Sequence, residues 1–172
     1  MPTLKITEFY NGQYVDYASY DNLRKIASVV DGQKNSSRKI LCTVIEKNIK
    51  KKIKVSQLAS KVAEYTEYLH GDISGVIVTL GQDFAGANNI PLLQKDGNFG
   101  TRFQNEASAS RYIHTYGTDA FFELFKKDDN PILKHQYFEG ERIEPMFYVP
   151  SLPVLLINGS DGVSSGFAQK IL

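Results

Sequence analysis

The stretch VSQLASKVAEYTEYLHGDISGVIVTL (55–80) decides the fold. Val55, Leu58, Val62, Tyr65 and Leu69 recur at the spacing of one helix face. His70-Gly71-Asp72 interrupts the pattern, and Ile73, Val76, Ile77, Leu80 and Phe84 restart it. Two amphipathic helices joined by a tight turn form a helix-turn-helix arrangement, a motif shared by many small helical domains. Upstream, SSRKILCTVIEKN (36–48) carries a second apolar stripe, Ile40, Leu41, Val44 and Ile45, with Ser36 or Ser37 as the N-cap. The lysine-rich KNIKKKIK (47–54) separates the two segments. Arg38 and Lys39 fall in the first turn of the upstream helix, where an exposed cation opposes the helix dipole at about 0.3–1 kcal/mol. An anionic ligand at that end would offset the cost.

Further out the texture is mixed. DNLRKIASVV reads as a short helix around residues 22–30, closed by a turn at Asp31-Gly32. Residues 1–20 place an Asn11-Gly12 turn between β-branched and aromatic patches, and read as an arm or a small hairpin. Residues 85–103 are too rich in Gly and Asn for a helix. In 107–125 a run of small residues leads into a helix face with Ala120, Leu124 and Phe125. Residues 137–157 read as β-rich, with a hairpin at Glu139-Gly140 and the strand-like VLLI before Asn158-Gly159. The closing VSSGFAQKIL has no C-cap signal, which leads us to expect that more chain normally follows. The class is α+β.

Ten Phe, ten Tyr and 42% apolar residues in a 172-residue chain suffice for one buried core, with room for an appendage, and exclude a disordered chain. The single Cys42 excludes an internal disulfide framework and a cysteine-rich zinc site. No run approaches the roughly twenty apolar residues of a membrane-spanning helix, and the amino terminus lacks a signal-peptide profile. We therefore expect a soluble cytoplasmic protein. The net charge of +1 hides an asymmetry: residues 1–60 carry a net of +6 and residues 61–172 a net of −5. A basic segment of this kind suits a polyanion face, and it equally suits a solvated helix and loop.

Phosphate-cradling glycine motifs and zinc-protease motifs are missing from the sequence. His70, His114 and His135 are too scattered to form a recognisable metal set. Arg111-Tyr112 is more informative, because a phenol becomes a useful nucleophile only when a cation or base favours its ionised form. A permanent guanidinium charge beside it also suits a phosphate or a developing oxyanion. His70, at the break between two helices, is able to hydrogen-bond a phosphate oxygen or shuttle a proton. Arg24, Lys34, Arg38 and Lys39 supply cations on the basic segment. From the residues alone, a DNA-binding helical domain stands beside a structural helical domain with a chance basic face.

Five ordered blocks carry a more specific resemblance: RKIASVVDGQKNSSRKIL (24–41), HGD (70–72), DFAGANNIPLLQKDGNFGTR (83–102), ASRYIHT (109–115) and PVLLINGSDGVSSGFA (153–168). Together they resemble the breakage-reunion region of type IIA DNA topoisomerases, the family of gyrase A, topoisomerase IV and topoisomerase II. The resemblance covers about residues 20–172. In layout the chain looks most like the medium subunit of a bacteriophage topoisomerase, truncated before the tower and coiled coil; its location would then be the host cytoplasm.

The resemblance implies a winged-helix (helix-turn-helix, CAP-like) DNA-cleavage domain over residues 21–136, an N-terminal arm over 1–20, and a β-rich segment over 137–172 leading into the tower. It makes Tyr112 the nucleophile that forms a 5′-phosphotyrosyl link, Arg111 and Arg24 its phosphate-stabilising cations, and His70 a neighbour of the reacting groups. Lys34, Arg38 and Lys39 would grip the DNA backbone, and Val163 would wedge between base pairs. The implied cofactors, Mg2+ and ATP, would be bound by a large partner subunit carrying the TOPRIM and ATPase domains. The other implied partners are duplex DNA and a second copy, through the full-length subunit. A non-catalytic duplex-DNA-binding domain derived from the same scaffold is the alternative. Ala27 and Asn35 stand where the family often has prolines, and NEASASRY lacks the paired glycines found before the tyrosine in many eukaryotic members.

Overall fold

The computed structural model describes residues 5–68 and 71–172. The chain enters through α1 (Ile6–Phe9), a π-helical turn (Tyr10–Tyr14) and α2 (Val15–Lys25), which run on from one another. The central unit follows: α3 (Asn35–Glu46), β1 (Ile53–Lys54), α4 (Val55–Thr66), α5 (Ser74–Gly81), β2 (Leu93–Asp96) and β3 (His114–Gly117). The three strands form an antiparallel sheet in the order β1-β3-β2, with Ile53 opposite Thr115 and Leu93 opposite Gly117. Three helices, with a short strand before the second and a hairpin after the third, make a winged helix. The wing is the long connection from β2 to β3.

Burial explains why these helices form here. Ile40, Leu41, Val44 and Ile45 of α3, Val55, Leu58 and Val62 of α4, and Ile77 of α5 with Ile73 just before it are all buried in one cluster. The stripes seen in the sequence are the faces that meet as far as Gly81, where α5 ends short of Phe84; Leu69 lies outside the described residues. At the turn between α4 and α5, Glu67 takes left-handed backbone (φ 48°) and ends α4, and the Asp72 carboxylate accepts the Ser74 N–H (2.8 Å) at the start of α5.

Beyond the wing come α6 (Asp119–Leu124), a 3-10 helix (Lys127–Ile132), the β4–β5 hairpin (His135–Phe138 with Glu141–Pro145), α7 (Val154–Asn158) and the β6–β7 hairpin (Ser160–Val163 with Ala168–Ile171). Thr118 caps α6 by accepting the Phe121 N–H, and Phe121, Leu124 and Phe125 close the core from that side.

Several expectations need correction. The N-terminal segment is helical from Ile6, not a hairpin: the π-helical turn absorbs Asn11-Gly12, and no strand lies alongside among the described residues. The helix expected at 22–30 stops at Lys25, and the Ala27 N–H bonds to the Gln169 side chain instead of continuing it. Neither Ser36 nor Ser37 caps α3; the helix starts at Asn35 with Lys34 in the cap position. VLLI lies in a short helix, with Pro153 in the cap position before it and Gly159 in the cap position after it. The Glu139-Gly140 hairpin forms as expected.

Cys42 lies on the buried face of α3, and burial pushes its thiol up to about 11, against a hydrogen bond with Tyr148 that pulls the other way. A thiol raised above its ordinary 9.0 contributes stability below that value and loses it as pH rises through the folded value. Iodoacetamide at pH 8 is expected to leave Cys42 unmodified in the native protein and to label it in denaturant; rapid native labelling would show that α3 is not packed as described.

Candidate active site and nucleic-acid interface

The wing ends at Arg111-Tyr112, and its backbone is fastened on both sides of that pair. The Ser56 N–H donates to the Ser110 carbonyl (3.1 Å), and the Val55 N–H donates to the Ile113 carbonyl (3.0 Å). These donors belong to the first turn of α4, which has no intrahelical acceptors for them. The tyrosine loop thus serves as the N-terminal cap of α4. A turn bond from the Tyr112 N–H to the Ala109 carbonyl (2.9 Å) and the buried Ile113 side chain complete the anchorage. Earlier in the wing, Gly100 sits at φ +87°, and a Cβ there would fall 2.5 Å from the Asn105 carbonyl. Only glycine fits that close approach.

On this fixed backbone the Tyr112 side chain points outward, 67% exposed, and the Arg111 guanidinium stands 4.7 Å from its ring centroid. The stacking is worth about 0.5–1 kcal/mol at an exposed site, and it places a permanent charge beside the phenol. An exposed oxygen is reachable by a large polyanion. A packed one would not be.

Arg24 is exposed in the last turn of α2, with its guanidinium 5.5 Å from the Tyr20 ring. Val163, on β6, is 70% exposed, as an apolar wedge requires. Lys34 donates from Nζ to the Asp161 carbonyl (2.6 Å), which joins the start of α3 to the strand that carries Val163. His70 lies outside the described residues.

Arg38 and Lys39 sit differently from what the sequence suggested. Arg38 is buried, donating through Nε and Nη2 to the Asp31 carboxylate (2.8 and 3.2 Å), through Nη2 to the Gln33 carbonyl and through Nη1 to the Asn35 side chain. Asp31, fully buried, also accepts the Gln33 and Tyr148 N–H groups (both 2.9 Å). Lys39 donates to the Thr66 carbonyl (2.7 Å) and to the buried Glu144 carboxylate (2.8 Å). Both cations are engaged with the protein, because α3 turns their face toward the Asp31 turn and β5. Asp31 was legible in the sequence only as part of a turn. A carboxylate seven residues before an arginine gives no sign that the two meet inside.

Among the described residues no group of three or more His, Cys, Asp or Glu side chains is placed to hold a metal ion. These residues alone do not fit a metal centre. Among the same residues no helix is long and apolar enough to cross a membrane.

Residues 24–172 match the family that comprises the A subunits of DNA gyrase and topoisomerase IV. The chain belongs to that family. It is 41% identical over 172 residues to DNA topoisomerase 2-beta of Homo sapiens, and 38% identical over 173 residues to DNA topoisomerase 2 of Bombyx mori. Each match covers 98% of this chain and 11% of the relative. The chain thus spans about a tenth of the length of the curated relatives it matches. The solved topoisomerase II DNA-binding, cleavage and re-ligation domain of Plasmodium falciparum superposes with a TM-score of 0.90 at 36% identity, covering 98% of this chain and 24% of that one. The fold is therefore that of a type II topoisomerase DNA-cleavage domain. These relatives lend no support to a separate bacteriophage subunit.

Proposed function

We propose that this chain supplies the strand-breaking and resealing part of an ATP-dependent type II topoisomerase, with Tyr112 as nucleophile. The single observation that carries the reading is the exposed Tyr112 beside Arg111, on a loop clamped to α4, in a chain that belongs to this family. Attack of the phenolic oxygen on a DNA phosphorus forms the tyrosyl–phosphate bond and breaks the bond to the 3′ oxygen. The phenol loses its proton and the departing oxygen gains one. One phosphodiester bond replaces another, so resealing needs no external energy.

The guanidinium of Arg111 opposes the charge that develops on the phosphate, and Arg24 supplies a second cation. Lys34 binds the backbone and Val163 parts a base step. His70 is assigned to the neighbourhood of the reacting groups by resemblance alone. Arg38 and Lys39 support the reading differently from the sequence-based expectation: they position the turn and helix that carry Lys34. Mg2+ and ATP chemistry belongs to TOPRIM and ATPase modules outside these residues, and duplex passage requires a second copy of the assembly.

The test is retention of end-labelled duplex through protein denaturation, after incubation of the assembled enzyme with Mg2+. Labelled DNA that stays with the protein supports the strand-breaking reading. DNA bound only under native conditions supports the non-catalytic alternative.

A further inference from the structure

The β6–β7 hairpin presents Val163 and Phe167 to solvent, and none of its side chains joins the main core. A two-stranded hairpin is marginally stable by itself. Something else must hold its apolar tip in place, and the holding groups come from α2. The Asp21 carboxylate accepts both the Ser165 backbone N–H (2.9 Å) and the Ser165 hydroxyl (3.0 Å), in the turn after Val163. The Ser164 hydroxyl donates to the Asn22 side chain. Gly162 runs so close to α2 that a Cβ there would lie 2.6 Å from the Lys25 carbonyl. Asp21 is the buried residue of α2, and it also pairs with Lys25 (2.9 Å). That pairing and the Ser165 donors hold its carboxyl below the usual carboxylate range.

We propose that Asp21 is a positioning residue: it locks the turn of the β6–β7 hairpin onto the end of α2, so that Val163 and Arg24 are carried on one rigid support. The proposal rests on the reading of Val163 as a DNA wedge. Nothing in the sequence motif around Val163 points to Asp21, which lies 144 residues from Ser165. Physically, a wedge that parts base pairs meets a restoring force, and an apolar tip on a free hairpin would yield to it. A charge-assisted pair of hydrogen bonds resists that yielding. Because Arg24 lies one turn further along α2, the same anchor fixes the distance between the bending point and a phosphate-stabilising cation.

The experiment measures DNA bending by fluorescence transfer across a doubly end-labelled duplex bound to the assembled enzyme, in wild type, Asp21→Ala, Asp21→Asn, Val163→Ala and the Asp21→Ala/Val163→Ala double variant. Asp21→Ala is expected to lower the bent-to-straight ratio on the order of tenfold, the scale of a hydrogen bond to a charged group. Asn at this position keeps a carbonyl that accepts both Ser165 donors, so Asp21→Asn is expected to rescue most of the bend. The double variant is expected to bend no less than Val163→Ala alone. Wild-type bending by Asp21→Ala, with bending lost in Val163→Ala, overturns the positioning role and spares the wedge. Wild-type bending by Val163→Ala overturns the wedge itself. Should Asp21→Ala fail to fold, Ser165→Ala removes one donor from the turn; an unchanged bend in that variant overturns the proposal.

Discussion

Tyr112→Phe is expected to abolish the covalent protein–DNA adduct and to leave native duplex binding close to wild type. The expected loss of cleavage is on the order of 10⁴-fold or more, the scale on which removal of a nucleophile disables a group of residues acting together. The specificity of the effect comes from the geometry. Tyr112 is exposed, and its ring makes its contact with the Arg111 guanidinium, so removing the hydroxyl leaves no buried partner unsatisfied. The loop itself is held by backbone bonds from Val55 and Ser56, and these survive any side-chain change at this position. Folding and affinity should therefore persist while the chemistry stops. Adduct measured on denaturing gels and affinity measured under native conditions separate the two. Residual adduct in the variant would mean that another side chain takes the DNA end.

The second large effect concerns stability. Arg38→Ala strips the buried Asp31 carboxylate of its charged partner, and breaking a buried pair from one side destabilises by about 3–5 kcal/mol. Asp31 would keep two backbone donors, from Gln33 and Tyr148, which temper the loss without removing it. Chemical denaturation of the domain, monitored by circular dichroism, reads the change directly. Lys34→Ala is the informative contrast. Its ammonium lies at the surface against the Asp161 carbonyl, so the expected result is a nearly unchanged unfolding midpoint with weaker DNA binding and a shallower salt dependence. If Arg38→Ala instead left stability intact and reduced only DNA affinity, the internal role of Arg38 would be wrong.

The parts of this fold that were legible in the sequence are those where one strong period dominates. The α4–α5 pair and α3 follow from their apolar stripes, because those stripes are the faces that form the core. The wing strands were less visible. β1 is two residues long and lies in a lysine-rich tract, where its pairing with β3 rather than any alternation makes it a strand. VLLI carries strand-favouring side chains, yet Pro153 and Gly159 frame it as a short helix, and the flanking backbone outweighs the composition. Asn11-Gly12 is a strong hairpin signal that needs strands able to pair; without them the helix runs through it.

The candidate site divides the same way. Tyr112 and Arg111 are adjacent in sequence, so their pairing was readable from the residues, and the resemblance supplied the role. The roles of Arg38, Lys39 and Asp21 depend on partners 7, 105 and 144 residues away, and composition says nothing about such partners. A basic run reads as a surface until a buried carboxylate is found to face it.

The central claim is that one exposed phenolic oxygen takes the broken DNA end. It is tested most directly by trapping the cleavage complex with denaturant, digesting it with nuclease and protease, and locating the nucleotide-bearing peptide by mass spectrometry. The account predicts a 5′ phosphate on Tyr112 and on none of the other nine of the ten tyrosines. A nucleotide on a different residue, or a linkage through the 3′ end of the DNA, would contradict it.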